Sequence, residues 1–447
     1  MRFLFRNADY RVCSVRSLFL LLLISLGLPA APVSALPPVD RQQVAKDFTQ
    51  SVRNARNVSS LDSFALVSGA FPLLPTAQQL TILRRLAKDR VNPLIRTQGV
   101  VRLFPFIASI EEARSIARKQ GFIESWTLSK PQPSGPGRVE SLHKAFMAQM
   151  AGDHDQNFGM VLDVGHDAFA SLDHLLPSNR QHVIHGLITV RAKRSEEMRL
   201  FLGASGSVAV SMNGQYHGSM AGLRQAQPDQ VVVPLRLVAG TNVIVVSFAP
   251  DAYEELRVFT RLARPSGLAH SSLNVQAWTQ SDGWPLSSSV PKTLHPVIDQ
   301  LPKPGSHPSR LRRAVLKRSL GLPDSVGLDQ RSLEDLLLTS EFATLPMHDL
   351  LLALEHVPAT EAKKSILLHY WSEGRREPEL SLALAALCAR QENPVAARKW
   401  LDRGGTRLRG EHHNIIAAQV WRFGNEAERA WHYISPEASP AEPSEAL

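Results

Sequence analysis

Between residues 200 and 262, short apolar–polar alternations are broken by turn residues, and this pattern restricts the fold more than any other in the chain. Val208, Val210 and Met212 alternate with Ala209 and Ser211, the period of a strand. Asn213-Gly214 follows at once, and this pair tolerates positive φ at both centres of a two-residue hairpin. Tyr216 and His217 open the return strand. Val231, Val233, Leu235 and Leu237 alternate with Val232, Pro234 and Arg236. Ala239-Gly240-Thr241-Asn242 makes a turn, Val243 to Phe248 is another β-branched strand, and Leu256, Val258, Thr260 and Leu262 alternate once more. Strands this short and this closely spaced predict an antiparallel β-sandwich.

The order of these parts resembles the galactose-binding-like jelly rolls, including the sugar-binding domain of family-2 glycosidases. In that family one strand ends in Asn-Gly and a later strand pair is joined by a Gly-x-Asn turn. The matching residues are Val208-Ala209-Val210-Ser211-Met212-Asn213-Gly214 and Leu237-Val238-Ala239-Gly240-Thr241-Asn242-Val243-Ile244-Val245. The resemblance implies a jelly-roll-like β-sandwich over residues 121–265, with Asn213, Gly214, Gly240 and Asn242 shaping its turns. Such modules bind sugar through loops, and many bind nothing. Only Phe201, Tyr216, Phe248, Tyr253 and Phe259 are aromatic between Leu200 and Leu262, and Phe201, Phe248 and Phe259 fall within strands. The expectation is a structural sandwich, with a glycan as the alternative ligand.

Residues 310–435 read as helical. Leu384, Ala385, Cys388, Ala397 and Leu401 recur 33 residues later as Ala417, Ala418, Trp421, Ala430 and Ile434. Glu392-Asn393-Pro394 and Gly424-Asn425-Glu426 supply the turns. This resembles tetratricopeptide repeats, in which small residues stand where paired helices cross closely. It implies packing roles for Ala385, Ala397, Ala418 and Ala430, and a concave face for a protein partner. Arg310 to Arg318 is a basic helix, expected to present a solvated face, with contact to phosphate or an anionic membrane surface as the alternative. Residues 36–120 are also helical: Ser109 and Glu112 have the spacing of a capping box, and Gly121 stands where that helix stops. Residues 266–309, rich in proline and serine with no sustained period, read as a linker that partly packs on its neighbours, and 436–447 as a disordered tail.

Sites for chemistry are scarce. Gly203-Ala204-Ser205-Gly206-Ser207 lacks the last glycine of a nucleophile elbow and lies between two strands instead of between a strand and a helix. Neither a phosphate loop, nor a dinucleotide fingerprint, nor His-Glu-x-x-His occurs. Seven of the sixteen histidines fall between His143 and His217, and Asp153-His154-Asp155, His166-Asp167 and Asp173-His174 set carboxylates beside imidazoles. His182 and His185, three apart on a strand, point to opposite faces and cannot chelate together. The reading is no metal, no cofactor and no catalytic residue.

The first 35 residues read as a secretory leader. Arg2, Arg6, Arg11 and Arg16 precede an apolar run from Leu18 to Leu28, and Val33-Ser34-Ala35 places small residues at a cleavage site. Removing the leader takes Cys13 and leaves Cys388 as the one thiol, so no internal disulfide is expected. The leader's four Arg and one Asp carry +3 of the formal +9, leaving a mildly basic +6 that is no nucleic-acid footprint by itself. Together these features predict a multidomain α and β protein, periplasmic or secreted. It is expected to be non-catalytic and to act as a binding or scaffold protein through protein–protein contacts. A carbohydrate-binding module, or an accessory subunit of an envelope enzyme, is the alternative. Mass spectrometry of the exported protein is expected to find an N-terminus at Leu36, and an intact Met1 on a membrane-embedded chain would contradict the leader.

Overall fold

The computed structural model describes residues 41–54, 71, 74–88, 92–107, 109–134, 138–152, 158–163, 168–177, 181–250, 255–270, 273–285, 293–301, 305–325, 331–404 and 417. The expected leader and tail lie outside the described residues. Helices α1 (Arg41–Asn54), α2 (Thr76–Lys88), α3 (Pro93–Leu103) and α4 (Ile110–Gln120) come first. Ser109 caps α4 by accepting from the Glu112 amide, and Glu111 and Glu112 sit at the positive end of its dipole. Gly121 ends the helix at φ 80°. A Cβ there would stand 2.3 Å from the Leu262 carbonyl oxygen, so the helix can stop against the sheet only at a glycine.

The β-region comprises β1 (Ser125–Ser129), β2 (Gln132–Pro133), helix α5 (Val139–Gly152), β3 (Phe158–Asp163), β4 (Phe169–Ser171), β5 (His182–Ala192), β6 (Glu196–Ala204), β7 (Gly206–Met212), β8 (Gln215–Leu223), β9 (Val231–Leu237), β10 (Gly240–Pro250), β11 (Arg257–Ala263), β12 (Asn274–Ala277) and β13 (His295–Pro296). They form two antiparallel sheets. The first runs β3-β1-β5-β10-β7-β8, with β2 and β12 also paired to β5; the second runs β13-β9-β6-β11-β4. From β5 to β11 the chain alternates between sheets, returning to the first for β7 with β8 and again for β10. The crossing from β6 to β7 is Ser205, the serine of the elbow-like stretch. Its amide donates to the Arg257 carbonyl at 3.2 Å and its hydroxyl to the Glu255 carbonyl, so the side chain is engaged by backbone.

Strand periodicity places the core. Ile188 of β5, Val210 of β7 and Val246 of β10 meet Leu200 of β6, Val233 of β9 and Leu262 of β11 between the sheets. Each such burial contributes about 1.5–3 kcal/mol. The outer face of the first sheet is apolar as well: Leu187, Val243 and Val245 lie under Phe146, Met147 and Met150 of α5. The outer face of the second sheet is covered by Val100 of α3 and Ala113 of α4, which pack with Phe122, Phe169 and Phe259. The order is therefore α5, first sheet, second sheet, N-terminal helices. Under those helices Arg261 makes two bonds of 2.7 Å to Asp229 and lies 4.0 Å from the centre of the Phe201 ring.

Within 266–309, expected as a linker partly packed on its neighbours, the described residues add strands to the sandwich. β12 pairs with β5, β13 pairs with β9, and Trp278, Leu294, Val297 and Ile298 are buried. The lack of a period in this segment reflects short strands set by the unpaired edges they cover, which no local pattern reports.

Helix α6 (His307–Ser319) corrects the expectation of a solvated basic face. Arg313 and Lys317 are buried and donate to the carbonyls of Ile298 and Asp324 at 3.0 and 2.6 Å. Arg310 pairs with Glu341 at 3.1 Å and Arg318 with Glu334. These four basic groups have backbone or carboxylate partners within the protein. Beyond α6, Gly321 at φ 60° accepts from the Arg224 amide at 2.7 Å, and the Gln230 side chain joins the Ala204 amide to the Leu320 carbonyl. These bonds fasten the C-terminal helices to the sandwich.

Those helices are α7 (Leu333–Leu337), α8 (Met347–Glu355), α9 (Thr360–Ser372), α10 (Pro378–Arg390) and α11 (Pro394–Gly404). Residues 391–393 turn the chain, with Glu392 at φ 56° and the Asn393 side chain accepting from the Ala396 amide at 3.0 Å. Ala385 and Ala397 are both fully buried and share a cluster with Cys388, Leu401 and Ala417. Ala418 and Ala430, with most of the expected second copy, lie outside the described residues. Ala385→Leu and Ala397→Leu force extra atoms into this contact and are each expected to cost about 1–3 kcal/mol, measured by urea unfolding followed by circular dichroism.

Candidate functional site

The turn residues singled out in the sequence come together. Met212 pairs with Gln215, and Asn213 and Gly214 between them have φ of 50° and 82°. Gly240 has φ 97°, with open space where a Cβ would stand, so its requirement is conformational. The Asn213 side chain accepts from the Val243 amide at 2.8 Å and donates to the Asn242 side chain at 3.0 Å. Asn242 accepts from the Val238 amide and donates to the Val238 carbonyl, both at 2.9 Å. With Asn213 and Asn242 at 2% and 0% exposure, this pair is a structural lock between two turns, closed to a ligand.

The histidines meet hydroxyls. His143 stands on the apolar stripe of α5, one turn from Val139 and Phe146, and faces the first sheet. His185 of β5 and Ser247 of β10 are cross-strand partners. The Ser247 hydroxyl lies 2.6 Å from Nδ1 of both histidines. Nε2 of His143 lies 2.6 Å from the Ser211 hydroxyl, and Nε2 of His185 lies 3.4 Å from Oε1 of Gln132. One tautomer assignment satisfies the whole chain: Ser211 donates to His143, His143 to Ser247, Ser247 to His185 and His185 to Gln132. Phe146 stacks on His185 at 4.0 Å. All four of His143, His185, Ser211 and Ser247 are fully buried. Burial holds both imidazoles well below their ordinary range, to about 3, and so neutral.

No metal centre emerges from the other histidines. His154 and His166 lie outside the described residues. Among the described residues no group of three His, Cys, Asp or Glu is placed to hold a metal ion. Cys388 is buried in α10, and burial pushes its thiol up, away from the reactive thiolate. Among the described residues no helix is long and apolar enough to cross a membrane.

One surface cluster combines aromatic and cationic groups. Trp371 of α9 and Trp400 of α11 meet edge to face, with ring centres 5.0 Å apart. Arg376 lies 4.4 Å from the centre of the Trp371 ring, and Arg403 lies 4.6 Å from that of Trp400. Both arginines are exposed and, among the described residues, neither is paired with a carboxylate. Leu368, one turn before Trp371, is exposed as well. Neither this cluster nor the His143–Ser247–His185 chain was legible in the sequence. A serine inside the apolar run Val243–Phe248 and a histidine on an apolar helical stripe were the available signals for the second.

No family model matches the chain, and no curated protein matches it. Among solved structures, a β-glucosidase from Kluyveromyces marxianus is similar over 31% of this chain and 17% of its own, at 6% identity and a TM-score of 0.20. A likeness that slight carries no argument about this chain. The buried network makes its own prediction. Ser247→Ala removes the hydroxyl between the two histidines and leaves buried nitrogen atoms unmatched, for an expected loss of about 1–3 kcal/mol, measured by urea unfolding at neutral pH.

Proposed function

We propose that the protein is a non-catalytic, exported binding or scaffold protein of the cell envelope, whose sandwich is a galactose-binding-like jelly roll and whose C-terminal helices are tetratricopeptide-like. The partner is a protein that presents an acidic segment to the Trp371–Trp400–Arg376–Arg403 cluster. That cluster carries the reading. Tryptophan and arginine dominate the energetics of protein contacts because they bury large area and keep directional charge. Here each guanidinium lies over an indole ring, Arg376 is further held by the Trp371 and Arg375 carbonyls, and both cations stay exposed for an acidic partner. The leader supports export, and the alternation of strands between two sheets supports the jelly roll. The burial of Ser247, His143 and His185 keeps this hydroxyl and these imidazoles from reaching a substrate.

A photo-reactive phenylalanine at Leu368, irradiated in intact cells, is expected to give a discrete protein adduct. Arg376→Glu with Arg403→Glu is expected to abolish it while leaving the melting temperature within a degree or two, as exposed charges permit. Saturable binding of an oligosaccharide to the protein, with no adduct at Leu368, would replace this reading with the carbohydrate-binding one.

A further inference from the structure

The imidazoles beneath α5 have no part in the proposed function, yet they join that helix to the middle of the first sheet through the Ser211 and Ser247 hydroxyls. We propose that α5 is an acid-released clasp, which detaches from the first sheet when His143 and His185 take up protons while the two-sheet core stays folded.

Hydrogen bonding sets the first condition. The Ser247 hydroxyl has one proton to give to one of the two Nδ1 atoms flanking it. A first extra proton can be housed by reversing the tautomer of His143. A second turns both Nδ1 atoms into donors and leaves the Ser247 proton without an acceptor. Solvation sets the second condition, and it is the more severe. Both rings are fully buried, and among the described residues no unpaired carboxylate is placed against them. Glu140 of α5 is bonded to Lys144 at 2.5 Å and to Ser219 at 3.1 Å. Lys144 lies 4.6 Å from the centre of the Tyr216 ring of β8. β8 adds His217, and β5 adds His182 and Arg191, the latter paired with Asp282 at 3.0 Å. Strands β2, β7 and β10 contain no ionisable side chain.

Release of the helix alone follows from how the core is divided. The apolar residues of α5 belong to clusters with Leu187, Val243 and Val245, and with Val183 and Ala209. The cluster between the sheets contains none of them. Lifting α5 therefore uncovers an apolar sheet face without opening the main core.

The direction of the pH dependence follows from linkage. Each imidazole is held near 3 while α5 is docked, against about 6.5 when free. The docked state binds fewer protons, so docking is strongest above pH 6.5 and weakens as the pH falls from 6.5 toward 3. Each histidine favours release by roughly tenfold per pH unit in that window, and the two together by roughly a hundredfold.

Amide hydrogen exchange on the full chain tests this at pH 7.5 and 5.0, with rates corrected for intrinsic chemistry. Protection of residues 139–152 is expected to fall about a thousandfold more than that of β6 and β9. His143→Gln and His185→Gln are each expected to remove about half of the logarithmic pH response. Wild-type imidazole signals, followed by nuclear magnetic resonance, provide a measure that needs no variant: both rings should stay neutral at pH 5 in molecules with α5 docked. Equal loss of protection in α5, β6 and β9, unchanged protection of α5 at pH 5, or a charged ring in the docked state would overturn the clasp.

Discussion

Strand β10 is buried on both faces, and much of the architecture follows from that condition. Ile244, Val246 and Phe248 point into the core between the sheets, while Val243 and Val245 point at α5. A strand in this position has no solvent face on which to place a polar group, so each polar side chain it carries needs a partner inside the protein. Its polar positions toward either end meet that need in different ways. Asn242 holds the Asn213 hairpin and the Val238 backbone, and Ser247 holds β5 and α5 through His185 and His143. One asparagine thus locks the turns of the sandwich, and one serine recruits its outer layer.

The same economy joins the helices to the sheets. Arg261 and Asp229 are buried together, with burial pushing the Asp229 carboxyl up and the guanidinium opposing it. Such a pair adds little net stability after desolvation, but removing one partner strands the other charge, so it holds the loop before β9 against β11. Gln230 fastens α6 with neutral bonds, and four cations of that helix, Arg310, Arg313, Lys317 and Arg318, are matched to carbonyls and carboxylates within the protein. A helix that reads as a basic surface becomes an internal fastener because its apolar stripe, Leu311, Val315 and Leu316, belongs to the main core.

Local chemistry made the central strands, the two-residue hairpin and the ends of α4 readable, because period-2 alternation, Asn-Gly and the Ser109–Gly121 caps act through neighbours in sequence. The C-terminal helices were readable for a similar reason, from their apolar runs and the turn at 391–393. What the sequence alone determined is therefore a set of β-strands of antiparallel type flanked by helices. Which strand joins which sheet, the pairing of β12 and β13 with the two sheets, and the burial of α6 were decided by tertiary structure, since unpaired edges and apolar faces are properties of assembled sheets. The same holds for the candidate sites. Histidines 42 residues apart share one serine hydroxyl, and tryptophans from two helices share two arginines. These contacts arise when separate elements pack, and no spacing along the chain encodes them.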